Sequence, residues 1–376
     1  MSIARLSDLA DAATCPRLVI KVGSALLVAK GEPRRAWLEG LVDEIAAARA
    51  RGQDVVVVSS GAIALGAARL RLPKGGRANL ADAQAAAAVG QIALAELWSE
   101  LLGAKGIVAA QLLLTLEDLE DRRRYLNASA TLGRLLQAGV VPVVNENDSV
   151  ATQEIRFGDN DRLAARVAQA ANAQAVLLLS DIDGLYDRDP RQSGANMLPL
   201  VRGVTAEIHA MATGGSGSGL GSGGMTAKLL AAEIAERAGI VLAILNGTYD
   251  RPVARALDKG IGTLFLPRRK DAARKAWLGG RLRMKGALTI DSGAASALRS
   301  GKSLLAAGIT SVEGSFHRGD PVAIRDDAGT VLAQGLVEYD AAECVRLLGR
   351  SSAEHADILG YAPRSAVVHR NQLVLL

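Results

Sequence analysis

The chain has 376 residues, enough for two or three domains, with 49% hydrophobic, 22% charged and 3% aromatic residues. That balance excludes a disordered chain and builds the core from Ala, Leu, Val and Ile, as in parallel sheets buried under helices. The net charge of +5 is local: residues 267–286 carry eight basic residues and one acid, so the basicity reads as a solvated linker and not as a nucleic-acid stripe. Cys15 and Cys344 lie at opposite ends of the chain with no CxxC, which argues against a disulfide framework and for a reducing compartment, the cytoplasm. His209, His317, His355 and His369 show no metal-ligand spacing, so no protein-held metal is expected.

In chain order, an apolar run at 18–22 predicts a strand that ends at Gly23-Ser24. Leu38, Leu41, Val42 and Ile45 follow at helical spacing, and 55–58 is a fully apolar strand ending at Ser59-Ser60-Gly61. The Ala-rich stretch 85–102, broken by Gln91, Glu96 and Glu100, reads as a soluble helix and not a membrane span. No basic flank followed by an apolar segment opens the chain, so no secretory signal is expected. Further strands are predicted at 107–114, 140–144, 175–179 and 240–245, with helical patterns between them. The alternation predicts an open, mainly parallel α/β sheet with helices on both faces, which binds its ligands beyond the carboxyl ends of the strands. After the basic linker, short apolar runs at 286–291, 319–324 and 328–331 alternate with turns and predict a small β-rich domain. The expected division is a catalytic domain over 1–266, a linker over 267–286 and a second domain over 287–376.

The residues that follow the strands carry the chemistry. The segment 214–224 holds seven glycines in eleven residues and runs into Met225-Thr226-Ala227-Lys228 and a helical pattern. A Gly-rich loop entering a helix offers unobstructed N–H groups and a positive dipole end to a phosphate, with Lys228 expected in the first turn. It is not a Walker A loop, since no GxxxxGK[ST] occurs. Lys21, beside Gly23-Ser24, also suits phosphate binding. Asn145-Glu146-Asn147-Asp148 follows one strand, and Gly158-Asp159-Asn160-Asp161 opens a helix expected at Arg162. Such clusters are ordinarily turns and N-caps, but two of them near a strand end also fit a grip on an amino acid, with oxygens for the ammonium and amides for the carboxylate. Ser180-Asp181 ends another strand, where it can contact a nucleotide.

Taken in order, Lys21-Val22-Gly23-Ser24, Val58-Ser59-Ser60-Gly61-Ala62-Ile63-Ala64, Gln111-Leu112-Leu113-Leu114-Thr115, Asp121-Arg122-Arg123-Arg124-Tyr125-Leu126-Asn127-Ala128, Pro142-Val143-Val144-Asn145-Glu146-Asn147-Asp148, Gly158-Asp159-Asn160-Asp161, Asp183-Gly184-Leu185-Tyr186 and Gly221-Ser222-Gly223-Gly224-Met225 resemble the glutamate 5-kinases. That family belongs to the amino acid kinase fold, and the tail resembles the PUA domain that its bacterial members often carry. The resemblance implies ATP-dependent phosphorylation of the glutamate side-chain carboxylate, on the route to proline. It implies that Lys21, Lys228 and Asp161 form the catalytic set, Asp161 holding the two lysines. Ser60, Asn145, Asp148 and Asn160 would bind glutamate; Lys21, Ser180, Asp181, Ser222, Gly223, Gly224, Met225, Thr226, Ala227 and Lys228 would bind ATP. Family members often carry Thr where this chain has Ala227, so a hydroxyl is missing there, and Thr226 is the neighbouring one. Mg²⁺ would ride mainly on the nucleotide. Proline as feedback inhibitor, a homo-oligomer and delivery to glutamyl phosphate reductase are further implications.

Two alternatives stay open. Another enzyme of the fold, an acetylglutamate, aspartate, carbamate or uridylate kinase, shares the phosphate apparatus. An RNA-binding protein would act through the tail, but residues 287–376 hold eight basic and ten acidic residues and no aromatic stacking series, which argues against it.

Overall fold

The apolar runs fall where a buried parallel sheet needs them. The computed structural model describes residues 3–150, 159–213, 222–267, 284–361 and 363–375, and the chain divides into two units, one built mainly before residue 271 and one mainly after it. In the first unit the strands are β1 (Arg17–Val22), the short hairpin β2 (Val28–Ala29) and β3 (Glu32–Pro33), β4 (Asp54–Ser59), β5 (Ala109–Leu114), β6 (Val141–Glu146), β7 (Ala175–Ser180), β8 (Leu200–Arg202), β9 (Val241–Asn246) and β10 (Thr263–Leu266). Eight of them form one sheet in the order β5-β6-β4-β1-β7-β9-β10-β8. All neighbours are parallel except β9 and β10. The chain leaves β1 toward β4 on one side and later returns to β7 on the other, so the switch point of the sheet lies at the ends of β1, β4 and β7.

Alternation along each strand separates two layers. Leu18, Ile20, Val22, Val55, Val57, Val143, Leu177 and Ala243 face one core with Leu38, Leu41, Ile45 and Trp98. The residues between them, including Lys21, turn to the other face, where the helices Asp159–Ala171 and Ser222–Arg237 pack on the sheet and on each other. Helix Leu80–Gly103 is long and apolar enough to cross a membrane by length and composition, but half of its apolar window is buried, with Leu94, Trp98 and Leu102 in the first core. It crosses helix Ala62–Leu70 at a glycine pair: a Cβ on Gly66 would lie 1.8 Å from the Ala86 carbonyl oxygen, and one on Gly90 would lie 1.8 Å from that of Ala62. Only glycine permits so close an approach of two backbones.

The second unit has a five-stranded sheet of β11 (Gly286–Ile290), β12 (Ile309–Gly314), β13 (Pro321–Arg325), β14 (Val331–Leu336) and β15 (Leu373–Leu375), in the order β12-β11-β13-β14-β15. Its core gathers Leu288, Ile290, Leu298, Phe316, Val322, Ile324 and Tyr339. Beside it the buried Glu338 is paired with Arg318 and Arg364 at 3.4 and 2.7 Å. Phe316 and Tyr339 are thus core residues and not a stacking surface.

The α/β sheet with helices on both faces and the strand-rich tail match the expectation; the details differ in instructive ways. The strand expected at 107–114 begins at Ala109, and Asn145 and Glu146 belong to β6 instead of following it. The helix expected at Arg162 begins at Asp159, so Asn160 and Asp161 sit in its first turn. The helix after the glycines begins at Ser222, which puts Lys228 in the second turn and not the first. The run at 328–331 is mostly the turn before β14. Residues 214–221, most of the Gly-rich loop, and Gly158 lie outside the described residues.

Candidate active site

A cleft of about 260 Å³ opens at the switch point. Each strand that meets there contributes one of its last two residues or the one just after it. Lys21 comes from β1, Ser60 from the joint after β4, Asn145 and Glu146 from β6, Ser180 and Asp181 from β7. Ser60 is held by its N–H donating to the Val22 carbonyl at 3.0 Å. Gly61 follows with φ +115, a conformation that lets the chain turn from strand into helix Ala62–Leu70. The first turn of helix Asp159–Ala171 brings Asn160 and Asp161, and helix Ser222–Arg237 brings Gly224 and Lys228.

At one end of the cleft two ammonium groups share one carboxylate. Lys21 Nζ lies 2.5 Å from Asp161 Oδ1, and Lys228 Nζ lies 3.2 Å from Asp161 Oδ2. Lys228 also donates to the Gly224 carbonyl at 3.4 Å. Lys21, Asp161 and Lys228 are 7%, 1% and 9% exposed, so the charges interact with little screening by water. Burial pulls the Lys21 ammonium below the ordinary lysine range, and Asp161 only partly offsets this while Lys228 adds to it. Burial pushes the Asp161 carboxyl up, but the two lysines outweigh it and hold it below the usual aspartate value. The trio carries a surplus positive charge, which fits it to receive phosphate oxygens.

At the other end lies an amide cluster. Asn160 Nδ2 donates to Ser60 Oγ at 2.8 Å and to Asn145 Oδ1 at 3.3 Å, and Asn145 Nδ2 donates to Gln91 Oε1 at 2.8 Å. Asn160 Oδ1 is buried without a hydrogen-bond partner among the described residues, an acceptor available to a bound donor. Asp148, in the short turn after β6, lines the same end and faces Arg77.

The structure therefore brings together Lys21, Ser60, Asn145, Asp148, Asn160, Asp161, Ser180, Asp181, Gly224 and Lys228. Ser180 Oγ donates to Asp181 Oδ1 at 3.1 Å. It does not bring Met225, Thr226 or Ala227 to the cleft wall: they lie on the same helix, and Ala227 is buried at 8% exposure. Ser222 and Gly223 open that helix. Two residues escape the sequence reading. Arg77 stands at the cleft on a loop with no motif around it, and Gln91 reaches Asn145 from the middle of a helix. The break that Gln91 makes in an apolar helix was the one available signal. No group of three or more His, Cys, Asp or Glu able to hold a metal occurs among the described residues.

Comparisons with known proteins identify the family of the chain. Residues 16–246 match the amino acid kinase family and residues 286–359 match the PUA domain. The chain is 70% identical to a glutamate 5-kinase from Novosphingobium aromaticivorans over the full length of both. It is 60% identical to one from Sphingopyxis alaskensis, covering 97% of this chain and 98% of that one. Among solved structures, a carbamate kinase from Giardia lamblia bound to AMP-PNP overlays with a TM-score of 0.49 at 15% identity, covering 67% of this chain and 98% of the other. The chain belongs to the amino acid kinase family, carries a PUA domain, and within the family groups with glutamate 5-kinases.

Proposed function

We propose that the chain transfers the γ-phosphoryl group of ATP to the side-chain carboxylate of L-glutamate, giving L-glutamyl 5-phosphate, the first step toward proline. The observation that carries the reading is the juxtaposition of a doubly cationic, phosphate-ready end, Lys21–Asp161–Lys228, with an amide end suited to an amino acid, Ser60–Asn160–Asn145.

The nucleophile is a carboxylate, ionised at neutral pH because its reference pKa is about 4.3. No general base is needed. A glutamate oxygen attacks the γ-phosphorus, the bond to the β-phosphate oxygen breaks, and ADP leaves with that electron pair. Two anions must approach each other, so catalysis consists of positioning and charge stabilisation. Lys21 and Lys228 supply the stabilisation, and Asp161 fixes both ammonium groups. The first turn of helix Ser222–Arg237, Gly224 included, presents N–H groups to phosphate. Ser180 and Asp181 serve the nucleotide. Ser60, Asn145, Asp148 and Asn160 hold the glutamate, Asn160 Oδ1 accepting from its ammonium. With Asp161 engaged by two lysines, the donor set fits a Mg²⁺ carried on the ATP phosphates and not a protein cage; such an ion supplies further charge neutralisation.

The remaining readings have narrower support. Proline shares the amino and carboxyl head of glutamate, which places inhibition at the Ser60–Asn160 end. A homo-oligomer suits the edge strand β5, where Leu113 is exposed, with Val108 exposed just before it. Free buried thiols at Cys15 and Cys344 suit the cytoplasm. An acyl phosphate hydrolyses readily, which favours delivery to glutamyl phosphate reductase. The test of the central reading is ADP release with glutamate, N-acetylglutamate, aspartate, carbamate and UMP offered in turn. Release that follows glutamate alone supports it; release with another acceptor and none with glutamate refutes it.

A further inference from the structure

Gln91 lies outside the cleft wall, yet it is the far end of the hydrogen-bond chain that enters the cleft. It sits on helix Leu80–Gly103 seven residues before Trp98, two turns away and on the same face. Trp98 Nε1 donates to Ser59 Oγ at 2.9 Å. One helix thus touches the β4 end through Trp98 and the β6 end through Gln91.

An amide nitrogen only donates and an amide oxygen only accepts. Gln91 Oε1 accepts from Asn145 Nδ2. This turns Asn145 Oδ1 away, toward Asn160, whose Nδ2 it accepts. The second N–H of Asn160 goes to Ser60 Oγ. Both donors of Asn160 are then spent, and its Oδ1 remains as a buried acceptor with no partner among the described residues. Ser60, having accepted, keeps its own proton to donate. The cleft therefore offers one acceptor and one donor to an amino acid head, the first for the ammonium and the second for a carboxylate oxygen. If the amide of Asn145 reversed, Asn160 would turn with it and set N–H groups against the ammonium.

We infer that Gln91 is a positioning residue that fixes the donor–acceptor polarity of the Asn145–Asn160–Ser60 relay and so sets the affinity for glutamate without touching it. The inference rests on the functional reading above. Its test uses the full-length chain and two variants, Gln91→Met, which keeps length and removes the acceptor, and Gln91→Glu, which keeps an acceptor oxygen. Initial rates of ADP release are measured with glutamate and ATP varied separately. Gln91→Met is expected to raise the glutamate KM roughly 10-fold or more while kcat and the ATP KM stay within about 3-fold, because a mispaired polar site rejects its ligand selectively. Gln91→Glu is expected to keep the glutamate KM within about 3-fold of the wild type, since only an acceptor is required. An unchanged glutamate KM in Gln91→Met, or equal impairment of both variants, or a parallel rise in the ATP KM, overturns the inference while the functional reading stands. If Gln91→Met does not fold, Gln91→Leu, which also removes the acceptor, takes its place with the same outcomes. A wild-type chain without glutamate-dependent ADP release overturns the functional reading and the inference together.

Discussion

Asp161 faces two ammonium groups and can neutralise only one, and the surplus charge is what the phosphoryl group meets. Replacing Lys228 by Ala removes half of that stabilisation. The kcat is expected to fall by about 100-fold or more, with a smaller change in the glutamate KM, since a charge aimed at a transition state supplies a few kcal/mol. Near wild-type kcat in a folded variant would remove Lys228 from the mechanism. Asp161→Asn removes the carboxylate that two buried ammonium groups share and is expected to cost roughly 3–5 kcal/mol of stability at neutral pH, read by urea unfolding. The sign of its pH dependence follows from the depressed carboxyl. The contribution of Asp161 is complete above the ordinary aspartate value and is lost as pH falls through the lower folded value. The gap between wild type and variant should therefore close in acid, and a gap that persists at the lowest pH would contradict the pairing. Lys21, Asn145, Ser180 and Asp181 were legible because polar residues at the ends of apolar strands stand out. Arg77 and Gln91 were not, because tertiary folding alone brings Arg77 to the cleft and Gln91 to Asn145.

Helix Ala62–Leu70 begins two residues after Ser60, so whatever moves this helix moves the glutamate grip. Its crossing with helix Leu80–Gly103 depends on Gly66 and Gly90. Gly90→Ala would drive a methyl group into the Ala62 carbonyl. The expected cost is about 1–3 kcal/mol in thermal or urea unfolding, as for other overpacked sites, together with a higher glutamate KM. Unaltered stability would mean that the helices can part freely. The parallel strands were legible as continuous apolar runs, which burial on both faces demands. The short strands β8, β12 and β15 were not, since three to six residues with mixed polarity carry little pattern. The start of helix Ser222–Arg237 was also hidden: Ser222, Gly223 and Gly224 are poor helix formers, and packing on the sheet overrides that preference.

The larger architecture rests on two sheets, each with its own apolar core. All the residues assigned to chemistry lie before Leu229, so a chain ending at Pro267 is expected to remain soluble and to phosphorylate glutamate. A folded truncate without kinase activity would show that the tail completes the site. The change of composition at the basic segment is what suggested a division there, whereas the function of the second unit left no comparable mark. Separate cores also bear on how this protein should be measured. A single melting temperature describes one cooperative unit, and this chain holds two. Scanning calorimetry should resolve two endotherms, and a non-hydrolysable ATP analogue, binding one folded unit alone, should move just one of them to higher temperature.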